Sequence, residues 1–318
     1  MIQTKALYNL LRLNAKEDPT LKADPWALED FRKLSVAAIF RRLVTLNVRI
    51  DEAGFLQFAE ECDSPEELLE LLVDEEGDPK TQDHIYLLLF ELWRRLLPDK
   101  QSLSIFCDEL DHIIQEYEED RLKSDEPIQD GLANLLDVLR EHVDQKMAPK
   151  EAFRTISDYC GHDLECFLFE MITELLDENN ESYARELLEE FEPYIEDSLQ
   201  AEFLAARLYS FTDIKETNRR IAALLKKKLE AELLFEIIQL LVATGDHSLF
   251  QLSVKKLLPE LKTEEEFQDL LELTADYFRR LDQDEKEKQI LTLKKKRSKS
   301  QEFNPKDPDL HKFEALLA

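Results

Sequence analysis

The chain is short of glycine, with 5 in 318 residues, and short of cysteine, with 4. A sheet protein with many tight turns needs residues that tolerate positive φ, so so few glycines point to helices joined by short loops. Four cysteines (Cys62, Cys107, Cys160, Cys166) are too few for a disulfide framework in a chain of this size, and a reducing cytoplasm suits them. No apolar run approaches the ~20 residues of a membrane span. The longest, around Ile85–Phe90, is interrupted by Glu91, Arg94 and Arg95. The N-terminus lacks the pattern of a secretory signal and reads as a helix. No two glycines lie close enough to cradle a phosphate, and neither a G-x-S-x-G elbow nor an H-E-x-x-H helix occurs.

What is abundant is negative charge. Charged residues make up 35% and hydrophobic residues 43%, with a net charge of -29, so a folded core carries an acidic surface. Asp51–Pro79 holds 12 acidic residues and no Lys or Arg, and Thr155–Ala206 holds 15 against Arg185 alone. Both stretches repel nucleic acid and anionic membranes, so no basic-patch nucleic-acid binding and no membrane partner is expected. The sign reverses over Arg207–Lys228. It reverses again from Lys294 to the end, where 7 basic residues face 4 acidic ones. The run Lys294-Lys-Lys-Arg297 reads as an import signal, a nucleic-acid contact or the solvated end of a helix, the last favoured by the acidic start Asp282–Glu287 that precedes it.

Helix starts are legible. Ser64-Pro65-Glu66-Glu67, Asp213-Ile-Lys-Glu216 and Thr263-Glu-Glu-Glu266 read as capping boxes. Apolar residues recur three and four apart over Phe31–Leu46, Ile85–Leu96 and Leu132–Val143. A repeat emerges in the second half. Overlaying 165–197, 198–230 and 231–263 at a lag of 33 aligns Leu168, Ala201 and Leu234, then Met171, Leu204 and Ile237, Ile172, Ala205 and Ile238, and Leu175, Leu208 and Leu241. A second face follows at Ala184, Thr217 and Phe250, Leu188, Ile221 and Val254, and Phe191, Leu224 and Leu257, with turns at Asn179, Thr212 and Gly245. Each unit is a helical hairpin that must stack on its neighbours to bury its apolar face. After residue 263 the register is expected to give way to a terminal cap.

In period and in the placement of small and apolar residues, 165–263 resembles the tetratricopeptide class of α-solenoid, most closely in LLFEIIQLLVATGDHSLFQLSVKKLLPEL. The resemblance implies a superhelix with a concave peptide-binding groove. The expected architecture is therefore all-α: an irregular helical domain over 1–146, stacked helical-hairpin repeats over 147–299, and a linker with a short amphipathic helix over 300–318. In this register the first-helix positions Phe169, Thr173, Glu202, Tyr209, Phe235 and Gln239 face the groove. The terminal helix, with Asp309 as N-cap, carries Leu310, Phe313, Leu316 and Leu317 on one side, to dock on its own body or on a partner.

Chemistry is sparse. Cys160, His162 and Cys166 crowd together, and His162 with Cys166 at helical i,i+4 spacing would hold one edge of a zinc site, but no further ligand pair is in view. Glu109 and His112 match a single Glu-x-x-His of a di-iron bundle, which requires two. No metal, cofactor or catalytic residue is assigned. The expected function is non-enzymatic partner recognition, as an adaptor, scaffold or chaperone-like protein binding a peptide or amphipathic helix. The alternative is an acidic regulator that sequesters a basic protein or mimics nucleic acid.

Overall fold

The computed structural model of the chain describes residues 4–73, 77–244, 246–297, 303–304 and 307–317. Among these residues there are seventeen α-helices and no strand, and neighbouring helices pack in pairs. No described helix is long and apolar enough to cross a membrane. The chain divides into two compact units, Met1–Phe167 and Leu168–Ala318. The sequence expectation placed its boundary after Lys146; in the structure Lys146 closes one helix, Pro149 opens the next, and these two helices pack together inside the first unit.

The first unit contains α1 (Thr4–Glu17), two 3₁₀ turns (Pro25–Leu28 and Phe31–Lys33), α2 (Val36–Thr45), α3 (Glu52–Glu60), α4 (Pro65–Leu72), α5 (Pro79–Leu96), α6 (Leu103–Glu118), α7 (Glu126–Asp144) and α8 (Pro149–Ser157). Its centre is α5, where every residue from Ile85 to Trp93 is buried against α2, α4 and the second 3₁₀ turn. A helix apolar on all sides belongs in a core. The one acid in that stretch, Glu91, is only 3% exposed and is held by Arg94 at 2.7 Å and by Arg95. The apolar face read across Phe31–Leu46 is broken in the structure, because the Ser35 hydroxyl accepts from the Ala38 N–H and starts α2 there, leaving Phe31 in a separate turn.

The second unit holds most of α9 (Leu164–Asp177), then α10 (Glu181–Phe191), α11 (Ser198–Tyr209), α12 (Ile214–Leu224), α13 (Ala231–Thr244), α14 (His247–Leu257), α15 (Glu264–Arg280), α16 (Asp284–Lys295) and α17 (Pro308–Leu317). Apart from Ala205, every residue of the two helix faces aligned by the 33-residue lag is buried. Alternate helices touch as well, α11 with α13, α13 with α15 and α12 with α14. The register also runs one helix further than expected: Phe267, Leu270, Leu271 and Thr274 of α15 continue the aligned positions and are buried. It lapses only because α15 is long, which delays α16. Gly245, expected at a turn, lies outside the described residues.

The scarcity of glycine has a structural counterpart. Asn47, Asp120, Lys146, Asn179 and Asp282 all take positive φ, between 52° and 75°, just past the ends of α2, α6, α7, α9 and α15. Each is followed by an N–H that reaches back across the last turn, as in Val48 to the Leu43 carbonyl at 2.9 Å and Met147 to the His142 carbonyl at 3.1 Å. This is the closure that glycine usually serves at helix ends, made here with side chains that tolerate it less well. Helix starts match expectation less uniformly. Thr263 and Glu266 form a full capping box. In contrast, Glu67 turns back to the Asp63 N–H at 2.8 Å instead of to Ser64, and Glu216 pairs with Arg219 and Arg220, so those two boxes are half-made.

Candidate functional site

On the repeat helices, Phe169 and Thr173 of α9, Glu202 and Tyr209 of α11, and Phe235 of α13 are half-buried, and Gln239 of α13 is exposed. Phe169, Glu202 and Phe235 occupy one repeat position; Thr173 and Gln239 occupy another, one turn on. Two of the six already have partners within the unit. Glu202 pairs with Lys227 at 2.6 Å, and the Tyr209 ring carries the Arg220 guanidinium 4.6 Å and the Arg185 guanidinium 5.8 Å from its centroid. Phe235 lines a pocket of about 370 Å³ whose other walls include Glu230, Glu232, Glu260, Glu266 and Asp269, with Lys262 the sole basic lining residue.

The C-terminal helix is docked on its own unit. Phe313 is fully buried and meets the Phe267 ring edge-on at 5.7 Å, Leu317 is buried, and the Gln251 amide donates to the Leu317 carbonyl. Leu310 and Leu316 are half-buried beside them. The N-cap is Asp307, whose carboxylate accepts from the Asp309 N–H at 2.9 Å, and not Asp309, because the helix begins at Pro308. Most of the expected linker (300–302 and 305–306) lies outside the described residues. The basic run splits: Lys294 pairs with Glu272, Arg297 pairs with Glu264 and Asp307 and stacks on Phe267 at 4.7 Å, and Lys295 and Lys296 stay in solvent.

In the first unit a second arrangement appears that the sequence did not announce. Lys5, Asn9, Arg12 and Lys16 form a polar stripe along α1, facing Asp108, Asp111 and Gln115 of α6 and Glu119 just beyond it. At the buried end the Lys5 ammonium lies 2.9 Å from Asp108, Asn9 donates to Asp108 at 3.0 Å and to Asp111 at 2.8 Å, and Arg32 donates to Asp108 at 2.6 Å. Burial works to raise the Asp108 carboxyl, but Lys5 and Arg32 outweigh it and hold the group far below the usual carboxylate range. For Lys5 burial wins, and its ammonium is shifted down despite Asp108.

The loop before α9 completes the cluster. Asp111 accepts from the Gly161 N–H at 2.7 Å, the His162 N–H at 3.1 Å and His162 Nδ1–H at 2.8 Å, in addition to Asn9. Position 161 must be glycine for this approach, since a Cβ there would sit 2.7 Å from Asn9 Cβ and 2.9 Å from the Leu10 nitrogen. Above the cluster opens a cleft of about 680 Å³ lined by residues that include Arg12, Lys16, Asp30, His112, Glu116 and His162. With Nδ1 committed to Asp111, His162 Nε2 is buried without a hydrogen-bond partner; Glu118 approaches it only to 3.7 Å.

Cys160, His162 and Cys166, to which no metal is assigned, are held apart in the structure. His162 precedes α9, so it and Cys166 are not one helical turn apart on a face; Cys160 is buried and Cys166 is exposed. Among the described residues, no three His, Cys, Asp or Glu side chains are placed so that they could hold a metal ion. Glu109 is engaged with Arg32 at 3.0 Å and Arg94 at 3.2 Å, which removes it from a Glu-x-x-His role. No protein family, curated protein or solved structure matches the chain.

Proposed function

We propose that the chain is a non-enzymatic partner-recognition protein whose second unit is a tetratricopeptide-like stack of helical hairpins, binding a peptide or amphipathic helix along its first-helix face. The observation that carries this reading is the split within one helical register. Positions 168, 201 and 234 are buried, while their neighbours Phe169, Glu202 and Phe235 remain partly open, once per pair. Half-open aromatics at a repeated position are the anchors such a surface uses. Contacts between alternate helices support the stacking.

The acidic pocket around Phe235 favours one further reading, an acidic regulator that holds a basic protein. Affinity capture from a lysate by the wild-type chain, repeated with Phe169→Ala/Phe235→Ala, distinguishes the two when run at low and high salt. A groove binder retains its partner in the wild type up to roughly 0.5 M salt and loses it in the double variant. A charge-based regulator releases its partner with salt whichever aromatic is present. Retention of every captured protein by the double variant at high salt overturns the groove assignment.

A further inference from the structure

We propose that the surface around Tyr209, where α11 meets α10 and α12, docks an acidic segment of a partner protein, whose carboxylates go to Arg185 and Arg220 and whose apolar side chains cover Phe211 and Ile214. The first observation is a charge left unanswered. Arg185 is the only Lys or Arg against 15 acids in Thr155–Ala206, with Glu181 and Glu189 one turn away on either side along α10. Yet it makes no ion pair among the described residues: its one partner is the Tyr209 ring of α11, whose centroid is 5.8 Å away. Arg220 of α12 lies 4.6 Å from the same centroid. Its Nε–H donates to Glu216 at 2.8 Å, but that carboxylate also takes two bonds of 2.6 Å from Arg219. Asp213 is spent on the N–H groups that open α12. Three guanidiniums thus share one carboxylate. A guanidinium laid on an aromatic ring keeps its N–H edge, already oriented, for another.

The second observation is apolar and independent of the first. Among the described residues of the second unit, the exposed large apolar side chains are Phe211, Ile214 and Leu252. Two of the three, Phe211 at 39% and Ile214 at 42% exposure, belong to the segment that follows Tyr209 directly. That segment is closed onto Tyr209, whose carbonyl accepts from the Thr212 N–H at 3.1 Å and the Asp213 N–H at 2.7 Å. Arginine, tyrosine and phenylalanine gathered beside apolar surface left in water make up the composition of an interface centre. Nucleic acid would answer the arginines but leave the apolar pair bare, and its dense charge meets a chain of net charge -29. A short protein segment brings a few carboxylates and aliphatic side chains together. Tyr209 is shared with the groove assigned above, but Arg185 and Arg220 stand on second helices and Phe211 and Ile214 at the turn, so this surface does not rest on that assignment.

The probe is a fluorescent decapeptide of glutamate and leucine, titrated with the full-length chain at about 0.1 M salt and followed by anisotropy. We expect saturation with a dissociation constant of roughly 10–100 μM, and none for the peptide in which glutamine replaces glutamate. Arg185→Gln and Phe211→Ser each weaken binding at least about fivefold. Phe211 is an exposed turn residue, so its effect is read on a folded protein. Lys295→Gln removes the same charge from an exposed position on α16 and changes the constant less than about twofold, which separates docking from the pull of overall charge. Absence of saturation overturns the proposal, as does an unchanged constant for Arg185→Gln or for Phe211→Ser, an equal weakening by Lys295→Gln, or displacement of the peptide by decathymidylate at equal concentration. Phe169→Ala/Phe235→Ala is expected to leave binding unchanged. If that double variant alone abolishes it, the peptide sits in the groove, and this surface is wrongly assigned while the groove stands.

Discussion

The Arg297 guanidinium and the Glu264 carboxylate, from the end of α16 and the start of α15, form a two-pronged ion pair whose side chains are only 7% and 1% exposed. Arg297 also reaches Asp307 at 2.9 Å, just ahead of the C-terminal helix, and lies over the Phe267 ring. One arginine thus ties together α15, α16 and α17. That explains why a basic residue is wanted here in so acidic a chain: Glu264 is inside. Glu264→Gln leaves the guanidinium buried with one fewer charge and should cost about 3 kcal/mol in urea-induced unfolding. A loss below roughly 0.5 kcal/mol means that Asp307 alone suffices and the pair is not structural.

Phe313 carries the next expectation. Fully buried against Phe267, it should cost about 3 kcal/mol or more on Phe313→Ala, through lost burial and the cavity left behind. Truncation after Arg297 should lower the melting temperature by a similar mechanism, since α17 then uncovers Phe267 to solvent. If truncation leaves the melting temperature unchanged, α17 is held too weakly to act as a structural cap.

The repeat was legible because burial at i, i+3, i+4 and i+7 in paired helices imposes a pattern on one chain segment, and Leu168, Leu204 and Ile237 show it without knowledge of the neighbours. The same holds for the amphipathic C-terminal helix, whose Phe313 and Leu317 are buried as their spacing suggested, although its cap moved by two residues to Asp307. The cleft was not legible. The stretch around His162 drew attention for its thiols, yet what it does in the structure depends on Asn9 and Asp111, which are 102 residues apart and meet at 2.8 Å. Nothing local marks an aspartate as the acceptor for a distant loop. The only available trace was the spacing of Lys5, Asn9, Arg12 and Lys16 along one side of an otherwise amphipathic helix.

Helix ends offer a stabilising substitution. Lys146 is exposed, takes φ of 75° and makes a left-handed closure between α7 and α8. An L-residue with a Cβ pays roughly 1–2 kcal/mol for that conformation, offset in part by the greater freedom glycine has when unfolded. Lys146→Gly should therefore raise stability by about 0.5–1 kcal/mol in denaturant titration. A destabilising result would show that the lysine side chain makes a compensating contact.

Gly161→Ala acts in the opposite direction. Its φ is ordinary, so the objection to a side chain is space: the new Cβ meets the backbone nitrogen of Leu10, which cannot swing away as a flexible side chain would. Either α1 or the loop must move, lengthening the Gly161 N–H bond to Asp111 and disturbing His162. A loss of about 2–3 kcal/mol is expected, with a shift of the His162 imidazole resonances at constant pH. Unchanged resonances and stability would mean that α1 yields without cost, and the fixed geometry assigned to the cluster would be wrong.

His84 sets an expectation for pH. On α5 its ring stacks on Trp26 at 4.8 Å with an interplanar angle of 11°, beside Phe31, and its Nε2 is buried without a hydrogen bond. Burial, then the nearby Arg42, push its titration below the ordinary histidine value, and Glu29 opposes them without prevailing. In the unfolded chain His84 takes up a proton near pH 6.5, whereas in the folded unit it resists until lower pH. The unfolded state therefore binds more protons across that interval. The contribution is fully present above about pH 6.5 and is lost as pH falls, with a slope approaching about 1.4 kcal/mol per pH unit between the two midpoints. His112, also shifted down by burial and Arg32, adds to the same trend and keeps the wild-type profile from resting on one residue. His84→Phe retains an aromatic ring against Trp26 and removes the proton, so its stability profile between pH 7.5 and 5 should be flatter than that of the wild type. Parallel profiles for the two proteins would place the pH dependence elsewhere.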